Sequence, residues 1–442
     1  TTDTSINSFT TSENAGEIAT SGSGVDILYG VGFYEGVDSD WETYGGSNTE
    51  NNIASAGNFD PGKGYQMATD NGGVVEFTGT LHTGDTNQSI RSYDADGDGG
   101  SNGSRWDIVA NPFMSFIRAN DNETNDNVLT VNSALLHANN TALYFWDGDS
   151  YIAVNHSSSA STYDYIAPMQ GFLVAPKYTG SAVNFSFTKI MQTTSGTDDA
   201  VLIQSDIQDP EDNGELHLGI SQNEINRKTE IYFNDGGSDG LDPGYDAAAF
   251  ATLNTYLSTR LVDSSQNEGE NFTIQTLAYD EMWDKVVPLV LNAVAGEEVV
   301  VNIIQTNIPA DLNIFLEDAQ EGTYTNLKQE DFVLTPASDL SDAGRFYIHL
   351  TADTLSDDEV NTSLLNAYKK VDSNYITIEG LSTQSTSTQV SLFNILGTKV
   401  MDATLDNTSN TQMISTNGLS TGIYVIKLES GQNQLTKKLI IK

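Results

Sequence analysis

The chain has 442 residues, no cysteine and a formal net charge of −42, from 19 Lys and Arg against 61 Asp and Glu. The lack of cysteine excludes disulfides, thiolate metal sites and cysteine nucleophiles. A charge this negative repels nucleic acid and anionic lipid and favours divalent cations, so we expect no nucleic-acid partner. No apolar stretch is long enough to span a membrane as a helix, so the chain is expected not to be membrane-spanning.

Short runs of alternating or β-branched residues, bounded by Gly, Asn, Ser and Pro, predict an all-β fold. The first such runs predict one antiparallel β-sandwich, jelly-roll-like or Ig-like, over residues 1–192. Its strands are expected at residues 73–81, 105–113, 142–148, 151–154, 166–175 and 182–187.

Three aromatic motifs mark this first region: Trp106-x-Ile-x-x-Asn-Pro-Phe, Tyr144-x-Trp-Asp-Gly-x-x-Tyr and Pro168-x-Gln-Gly-Phe-Leu-Val. Together they resemble a β-sandwich segment found ahead of sorting domains in large, adhesin-like Bacteroidetes surface proteins. Exposed aromatic side chains would also suit a platform on which sugars stack, and the alternative is ordinary core packing. The candidate ligand-binding residues are Trp41, Tyr144, Trp146 and Tyr151.

An acidic, Gly-rich loop begins at Asp94 and has the spacing of a calcium loop. Asp94, Asp96 and Asp98 occupy positions 1, 3 and 5, and Gly follows at position 6, where it permits a sharp turn. Position 12, a Glu in the helix–loop–helix pattern, is Arg105, so Asp107 is the candidate late ligand. The loop therefore predicts a Ca²⁺ site, and a solvated acidic turn is the alternative.

A second antiparallel sandwich is predicted over residues 193–354, and it carries another acidic loop. Asp239, Asp242 and Asp246 lie close together on a turn-forming backbone, where they would share a cation or cap turns. His217 alternates within a strand run and predicts a half-buried or surface position. The strands are expected at residues 215–220, 228–233, 271–277, 286–291, 298–304, 314–318, 331–334 and 345–350.

The last module differs in charge from everything before it. Residues 363–442 carry 7 Lys or Arg and 5 Asp or Glu, so the whole negative excess lies upstream. Such an asymmetry indicates a separate unit. Residues 355–370 predict an acidic linker with a processing site, and residues 371–442 predict a small Ig-like β-sandwich.

Three blocks in this module, residues 393–400, 419–428 and 437–442, resemble the type A C-terminal sorting domain of the Bacteroidetes type IX secretion system. The resemblance implies partners: the translocon, an outer-membrane shuttle protein and a cell-surface sortase. It also implies removal of the domain and attachment of the remainder to the outer membrane. The sorting-signal residues that carry it are Gly397, Lys399, Gly422, Tyr424, Lys427, Lys437, Lys438 and Lys442.

These features predict a secreted, adhesin-like protein of the cell surface that is not an enzyme and has a possible surface glycan as its ligand. No sequence signature of a hydrolase nucleophile is present. The alternative is the C-terminal non-catalytic part of a larger secreted hydrolase, serving as a carbohydrate-binding module or a spacer.

Overall fold

The computed structural model contains 46% strand and 10% helix, which confirms the all-β prediction. The chain divides into two compact units, Thr1–Leu355 and Ser356–Lys442. Within the described part of the chain, no helix is long and apolar enough to cross a membrane. The structure describes residues 3–95, 104–120, 126–148, 150–158, 165–194, 213–250, 254–263, 269–341, 343–352, 366–369, 375–382, 384, 386–394, 398–420, 422–431 and 433–441.

The described residues of the first part of the larger unit form two short α-helices, α1 (Ile6–Ser8) and α2 (Val128–Asn132), several single turns of 3₁₀- or π-helix, and thirteen short strands. The strands are β1 (Thr20–Ser21), β2 (Leu28–Glu35), β3 (Asp40–Gly45), β4 (Gln66–Met67), β5 (Thr86–Ile90), β6 (Asp107–Ala110), β7 (Phe116–Arg118), β8 (Leu143–Trp146), β9 (Tyr151–Val154), β10 (Tyr165–Ile166), β11 (Gly171–Val174), β12 (Val183–Phe187) and β13 (Gln192–Thr193).

These strands form four small sheets rather than one sandwich. Their orders are β1-β2-β3 with β4 on β2, β10-β7-β13, β6-β11-β8-β9, and β12-β5. The expected strand over residues 73–81 is wrong. The structure has no strand there, and side chains bind the backbone of this segment instead: Asn14 accepts from the Glu76 amide at 2.8 Å, and Asp3 accepts from the Thr80 amide at 2.7 Å.

The second part of the larger unit is one 11-stranded sheet. Its path is β22-β21-β24-β19-β17-β18-β15-β14-β20-β23, with β16 paired to β18, and β15 and β18 run parallel. The strands are β14 (Gly214–Gln222), β15 (Ile225–Phe233), β16 (Ala247–Ala248), β17 (Tyr256–Thr259), β18 (Phe272–Leu277), β19 (Lys285–Asn292), β20 (Val299–Thr306), β21 (Asn313–Asp318), β22 (Thr323–Asn326), β23 (Phe332–Leu334) and β24 (Phe346–Thr351).

Alternation along each strand decides which side chains enter the core of this sheet. On β14, Leu216, Leu218 and Ile220 join a buried apolar cluster to which most strands of the sheet contribute. Because successive side chains of a strand point to opposite faces, Glu215 and His217 lie on the outer face.

That outer face packs against the first part of the chain. Trp106, Tyr144 and Leu173 from the first part share one buried cluster with Tyr232 and Ile274 of the large sheet. The two-sandwich arrangement is therefore not confirmed. The sheets before residue 194 are separate from the sheet after residue 213, but all of them belong to one compact unit and not to two domains.

The smaller unit has two sheets, β25-β26-β29 and β28-β27-β30-β31. Both contribute to one apolar core, for example through Ile376 and Ile378 from the first and Leu392 and Ile426 from the second. The strands are β25 (Asn366–Lys369), β26 (Tyr375–Glu379), β27 (Thr388–Asn394), β28 (Lys399–Leu405), β29 (Gln412–Ser415), β30 (Gly422–Ser430) and β31 (Asn433–Ile441).

Candidate functional site

The hairpin of β30 and β31 brings together most of the predicted sorting-signal residues. Gly422 pairs with Ile441 at its open end, and Lys437 and Lys438 lie opposite Ile426 and Val425. The side chain of Lys437 is exposed. The hairpin therefore ends the module in a long antiparallel pair with β31 at the edge of its sheet.

The remaining sorting-signal residues have different surroundings. Tyr424 is buried, and its hydroxyl donates to the carbonyl of Ser420 at 2.7 Å, so it supports the hairpin from inside. Lys427 is half-exposed and pairs with Glu429 at 2.8 Å. Lys399 lies on β28, the opposite edge of the sheet, and is exposed. Gly397 and Lys442 lie outside the described residues.

The first acidic loop is closed at its base by an ion pair. Asp94 is buried and accepts from Arg105 Nε at 2.9 Å, whereas Asp96 and Asp98 lie outside the described residues. Asp107 lies at the start of β6, and its two oxygens accept from the amides of Arg91 and Ile108. The calcium site on this loop stays a prediction.

The carboxylates of the second acidic loop have separate partners. Asp239 accepts from Lys285 Nζ at 2.6 Å, and Asp242 accepts from both the amide and the hydroxyl of Ser238. Asp246 is fully buried, and burial raises its pKa to about 8. Among the residues that the structure describes, no group of three or more His, Asp or Glu side chains is arranged to hold a metal.

One residue of the predicted sugar platform is in the core, which corrects the sequence-based prediction. Tyr144 is fully buried against Trp106, and its hydroxyl donates to the carbonyl of Ala248 at 2.8 Å. Trp146 and Tyr151 remain together at the end of the β8–β9 hairpin, with ring centroids 5.1 Å apart. Trp41 is half-buried on β3 against Tyr34, so it is not part of that pair.

The outer face of the large sheet carries a polar cluster that the sequence did not single out. We define it as Glu215, His217, Lys228, Glu230 and Tyr232, on the paired strands β14 and β15. His217 Nε2 lies 3.1 Å from Glu215 Oε1 and 3.2 Å from the Tyr232 hydroxyl. That hydroxyl donates to Glu230 Oε2 at 2.7 Å, and Glu230 also pairs with Lys228 at 2.6 Å. Tyr232 therefore links the histidine to the ion pair.

The two glutamates of the polar cluster have opposite electrostatic surroundings. Burial, and then the nearby Glu230 carboxylate, raises the pKa of Glu215. Burial also opposes the charge of Glu230, but Lys228, His217 and the hydrogen bonds outweigh it and lower its pKa to about 2. Burial lowers the pKa of His217. Glu230 is thus held as an anion, and Glu215 is the group that takes up a proton more readily.

A cleft of about 250 Å³ opens beside this cluster. We call it the hairpin cleft, because the β8–β9 hairpin forms one wall and the outer face of the large sheet forms the other. Its polar and aromatic lining comes from both parts of the larger unit. The lining residues are Asp147, Ser150, Tyr151, Asn226, Arg227, Lys228, Glu230, Tyr256 and Thr273, with Ile152, Ala153, Ile274 and Ile304.

Comparison with known families covers both units of the chain. A family model described as a domain of unknown function, DUF8693, matches residues 35–350, which is more than half of the chain. The chain belongs to the DUF8693 family. A second model, the secretion system C-terminal sorting domain, matches residues 372–442 and confirms the sorting domain that the C-terminal blocks predicted. No curated protein sequence matches the chain.

The DUF8693 region contains both acidic loops, the polar cluster and the hairpin cleft. Sequence reasoning missed Arg227, Lys228 and Glu230 as site residues because nothing near them in the sequence has a recognisable spacing. One signal was present: in the run of residues 228–233, Lys228 and Glu230 alternate with core residues, which places two charges on one face. The residues that lie opposite these two charges could not be inferred, because they belong to the β8–β9 hairpin, about 80 residues upstream.

Proposed function

We propose that this DUF8693 protein is an adhesin-like protein of the bacterial surface, exported by the type IX translocon through residues 372–442. The observation that supports it most is the C-terminal module, which matches the sorting domain and forms its own compact unit with its own core. A sorting domain that folds separately can be recognised by the secretion machinery whichever protein region, here called the passenger, precedes it.

The charge distribution supports separate roles for the sorting domain and for the region upstream of it. Nearly balanced charge in residues 363–442 contrasts with the acidic upstream region, so a receptor for the module would not need to bind the acidic passenger. We further propose that an outer-membrane shuttle protein receives the module, that a sortase removes it, and that the passenger is then attached to the outer membrane.

Export is tested by expressing the full chain and a chain lacking residues 372–442 in a type IX-competent host. Surface labelling and fractionation should place the full chain outside and the truncated chain in the periplasm. As a matched gain-of-function test, residues 356–442 fused to a periplasmic reporter should carry the reporter to the surface. Surface display of the truncated chain at the level of the full chain would contradict the proposal.

The adhesive role is proposed for the DUF8693 region, with a surface glycan as the ligand. Its support is the hairpin cleft, which has an exposed aromatic residue beside paired hydrogen-bonding side chains. Cells that display the full protein should adhere to polysaccharide-coated beads, and cells that display a sorting-domain fusion without the DUF8693 region should not. Equal adhesion of the two strains would contradict this role.

A further inference from the structure

We propose that the hairpin cleft is a subsite for one residue of a neutral saccharide, with Arg227 as a hydrogen-bond donor, and that Trp146, next to the cleft, is the stacking platform for the neighbouring sugar residue. The inference rests on the proposed adhesive function and makes it specific, because it names the site and the class of ligand. Three observations carry it: the exposure of Trp146, the charge balance of the cleft and its size.

Trp146 is an exposed aromatic residue held in a fixed place. It is 53% exposed, although it ends a strand whose three preceding residues are buried. Its ring plane makes an angle of 61° with that of Tyr151, and the ring centroids of Tyr151 and Phe250 are 4.4 Å apart. Phe250 in turn packs against the buried cluster that contains Trp106 and Tyr144. An aromatic ring supported in this way offers a flat apolar face on which a sugar ring can stack.

Trp146 is connected to the cleft through two neighbours: it directly precedes Asp147 in the chain and pairs across the hairpin with Tyr151, and both of these residues line the cleft. Gly148 has a φ of 107°, a conformation that favours glycine, and the Ser150 amide donates to Asp147 Oδ1 at 2.7 Å. Asp147 and Ser150 both line the cleft. The platform and part of the polar lining thus belong to the same hairpin.

Charges in the lining of the hairpin cleft balance, in contrast to the rest of the larger unit. The lining includes the acidic residues Asp147 and Glu230 and the basic residues Arg227 and Lys228, and Lys228 pairs with Glu230 at 2.6 Å. An anionic ligand would approach against the strongly negative field of the region, and a cationic ligand would meet two basic side chains. A neutral ligand with many hydroxyls fits best, because paired carboxylates and guanidinium groups both hydrogen-bond to vicinal hydroxyls.

The size of the cleft limits what it can hold. Its volume of about 250 Å³ is somewhat below that of typical small-molecule sites, which span roughly 300–1,000 Å³. It therefore suits one sugar ring of a longer chain, with the neighbouring ring over Trp146. A larger cleft of about 620 Å³ lies at Gln320, Leu334 and Arg345, but Asp318 engages that arginine through two hydrogen bonds.

The experiment uses the purified full chain of 442 residues and affinity electrophoresis in gels that contain one polysaccharide each. The neutral probes are xyloglucan, galactomannan, mixed-linkage β-glucan and starch, and the acidic probes are alginate and polygalacturonate. A bound neutral probe is then measured by calorimetry as an oligosaccharide, at about 0.05 M and about 0.5 M NaCl. The variants are Trp146→Ala, Trp146→Phe and Arg227→Gln, with Trp283→Ala and Arg118→Gln as matched controls.

We expect at least one neutral probe to bind, with a Kd that does not change with salt. Trp146→Ala and Arg227→Gln should each raise that Kd roughly tenfold or more, with Trp146→Phe in between. Trp283 is also exposed but lies far along the chain beside Tyr279, and Arg118 lies on β7, so both controls should bind like wild type. Circular dichroism and melting verify that each variant is folded, and Arg227→Gln keeps the test valid if Trp146→Ala does not fold.

Three outcomes would overturn the inference. They are binding only to the acidic probes, binding that Trp146→Ala and Arg227→Gln leave unchanged, and no binding to any probe. The second would locate the glycan site elsewhere and leave the adhesive function standing. None affects the export assay, so failure of the cleft and failure of surface display are distinguishable.

Discussion

Arg105 donates its Nε hydrogen to Oδ2 of Asp94 across 2.9 Å, and both side chains are at most 7% exposed. The same guanidinium donates to the side-chain oxygen of Asn140 at 3.0 Å. Arg105 occupies position 12 of the loop, where a helix–loop–helix calcium site has its last glutamate ligand. The positively charged side chain of Arg105 therefore closes the base of this loop, and a bound calcium ion would share Asp94 with Arg105.

Replacing Asp94 with Asn should destabilise the larger unit strongly. The substitution keeps the side-chain shape but leaves the Arg105 charge buried without its carboxylate, which typically costs about 3–5 kcal/mol. Urea unfolding followed by fluorescence measures the change. Asp38→Asn, an exposed control, should change the free energy of unfolding by less than about 0.5 kcal/mol. A loss no larger than that of the control would show that the ion pair contributes nothing.

Calcium at millimolar concentration should stabilise the protein if the loop predicted from Asp94, Asp96 and Asp98 binds it. For sites with Kd values typical of extracellular modules, the gain is on the order of 1 kcal/mol. Asp96→Asn combined with Asp98→Asn should abolish the gain and leave the melting temperature in chelator almost unchanged. The prediction fails if chelation does not shift the melting temperature, or if magnesium replaces calcium fully.

Strand positions could be predicted where both local pattern and pairing agree. The strands predicted at residues 215–220 and 345–350 are observed at Gly214–Gln222 and Phe346–Thr351, because apolar residues alternate there without interruption. The run at 73–81 alternates too, yet side chains from Asn14 and Asp3 take the place of a partner strand. The hairpin cleft could not be predicted, because it forms only when residues 147–153 pack across a sheet built from residues 214–351.

The hydroxyl of Tyr144 should stabilise the contact between the two parts of the larger unit. It donates to the Ala248 carbonyl and accepts from Asn140 Nδ2 at 3.2 Å, so Tyr144→Phe removes both of these buried hydrogen bonds. We expect a loss of about 1–3 kcal/mol with the unfolding of the larger unit still a single transition. The exposed Tyr178→Phe is the control. A split into two transitions in the wild-type protein would show instead that the two parts unfold independently.

Asp246 should make stability fall as the pH rises. Burial raises its folded-state pKa to about 8, so between about pH 4 and pH 8 the folded chain keeps a proton that the unfolded chain has lost. The contribution of Asp246 is complete below about pH 4 and is lost as the pH rises through 8, with a slope of up to about 1.4 kcal/mol per pH unit. Asp246→Asn should reduce this slope in urea titrations at several pH values, although the amide itself lowers stability.

The control for this titration is Asp311→Asn, which changes an exposed carboxylate of the same unit. It should leave the slope as in wild type. If Asp246→Asn leaves the slope unchanged as well, Asp246 is ionised in the folded state across this range, and the amides of Asp242 and Thr276 hold it as an anion.

Export should depend on the folded hairpin of the sorting domain and not only on its sequence. Leu439 is 5% exposed in the core of the module and lies opposite Tyr424 on the paired strand. Leu439→Asp buries a carboxylate with no partner, which costs several kcal/mol and should unfold the module. We therefore expect this variant to stay in the periplasm, as measured by surface labelling of the full chain, while the DUF8693 region melts as in wild type.

Lys437→Gln is the matched variant on the same strand, because the Lys437 side chain is exposed and its loss should leave the fold intact. Normal export of this variant beside retention of Leu439→Asp would show that the fold of the hairpin is what the machinery requires. Retention of Lys437→Gln at an unchanged melting temperature would show that a partner also binds the positive charge of β31. Normal export of Leu439→Asp would overturn the dependence on a folded hairpin, since a chain without the packed core would then carry the complete signal.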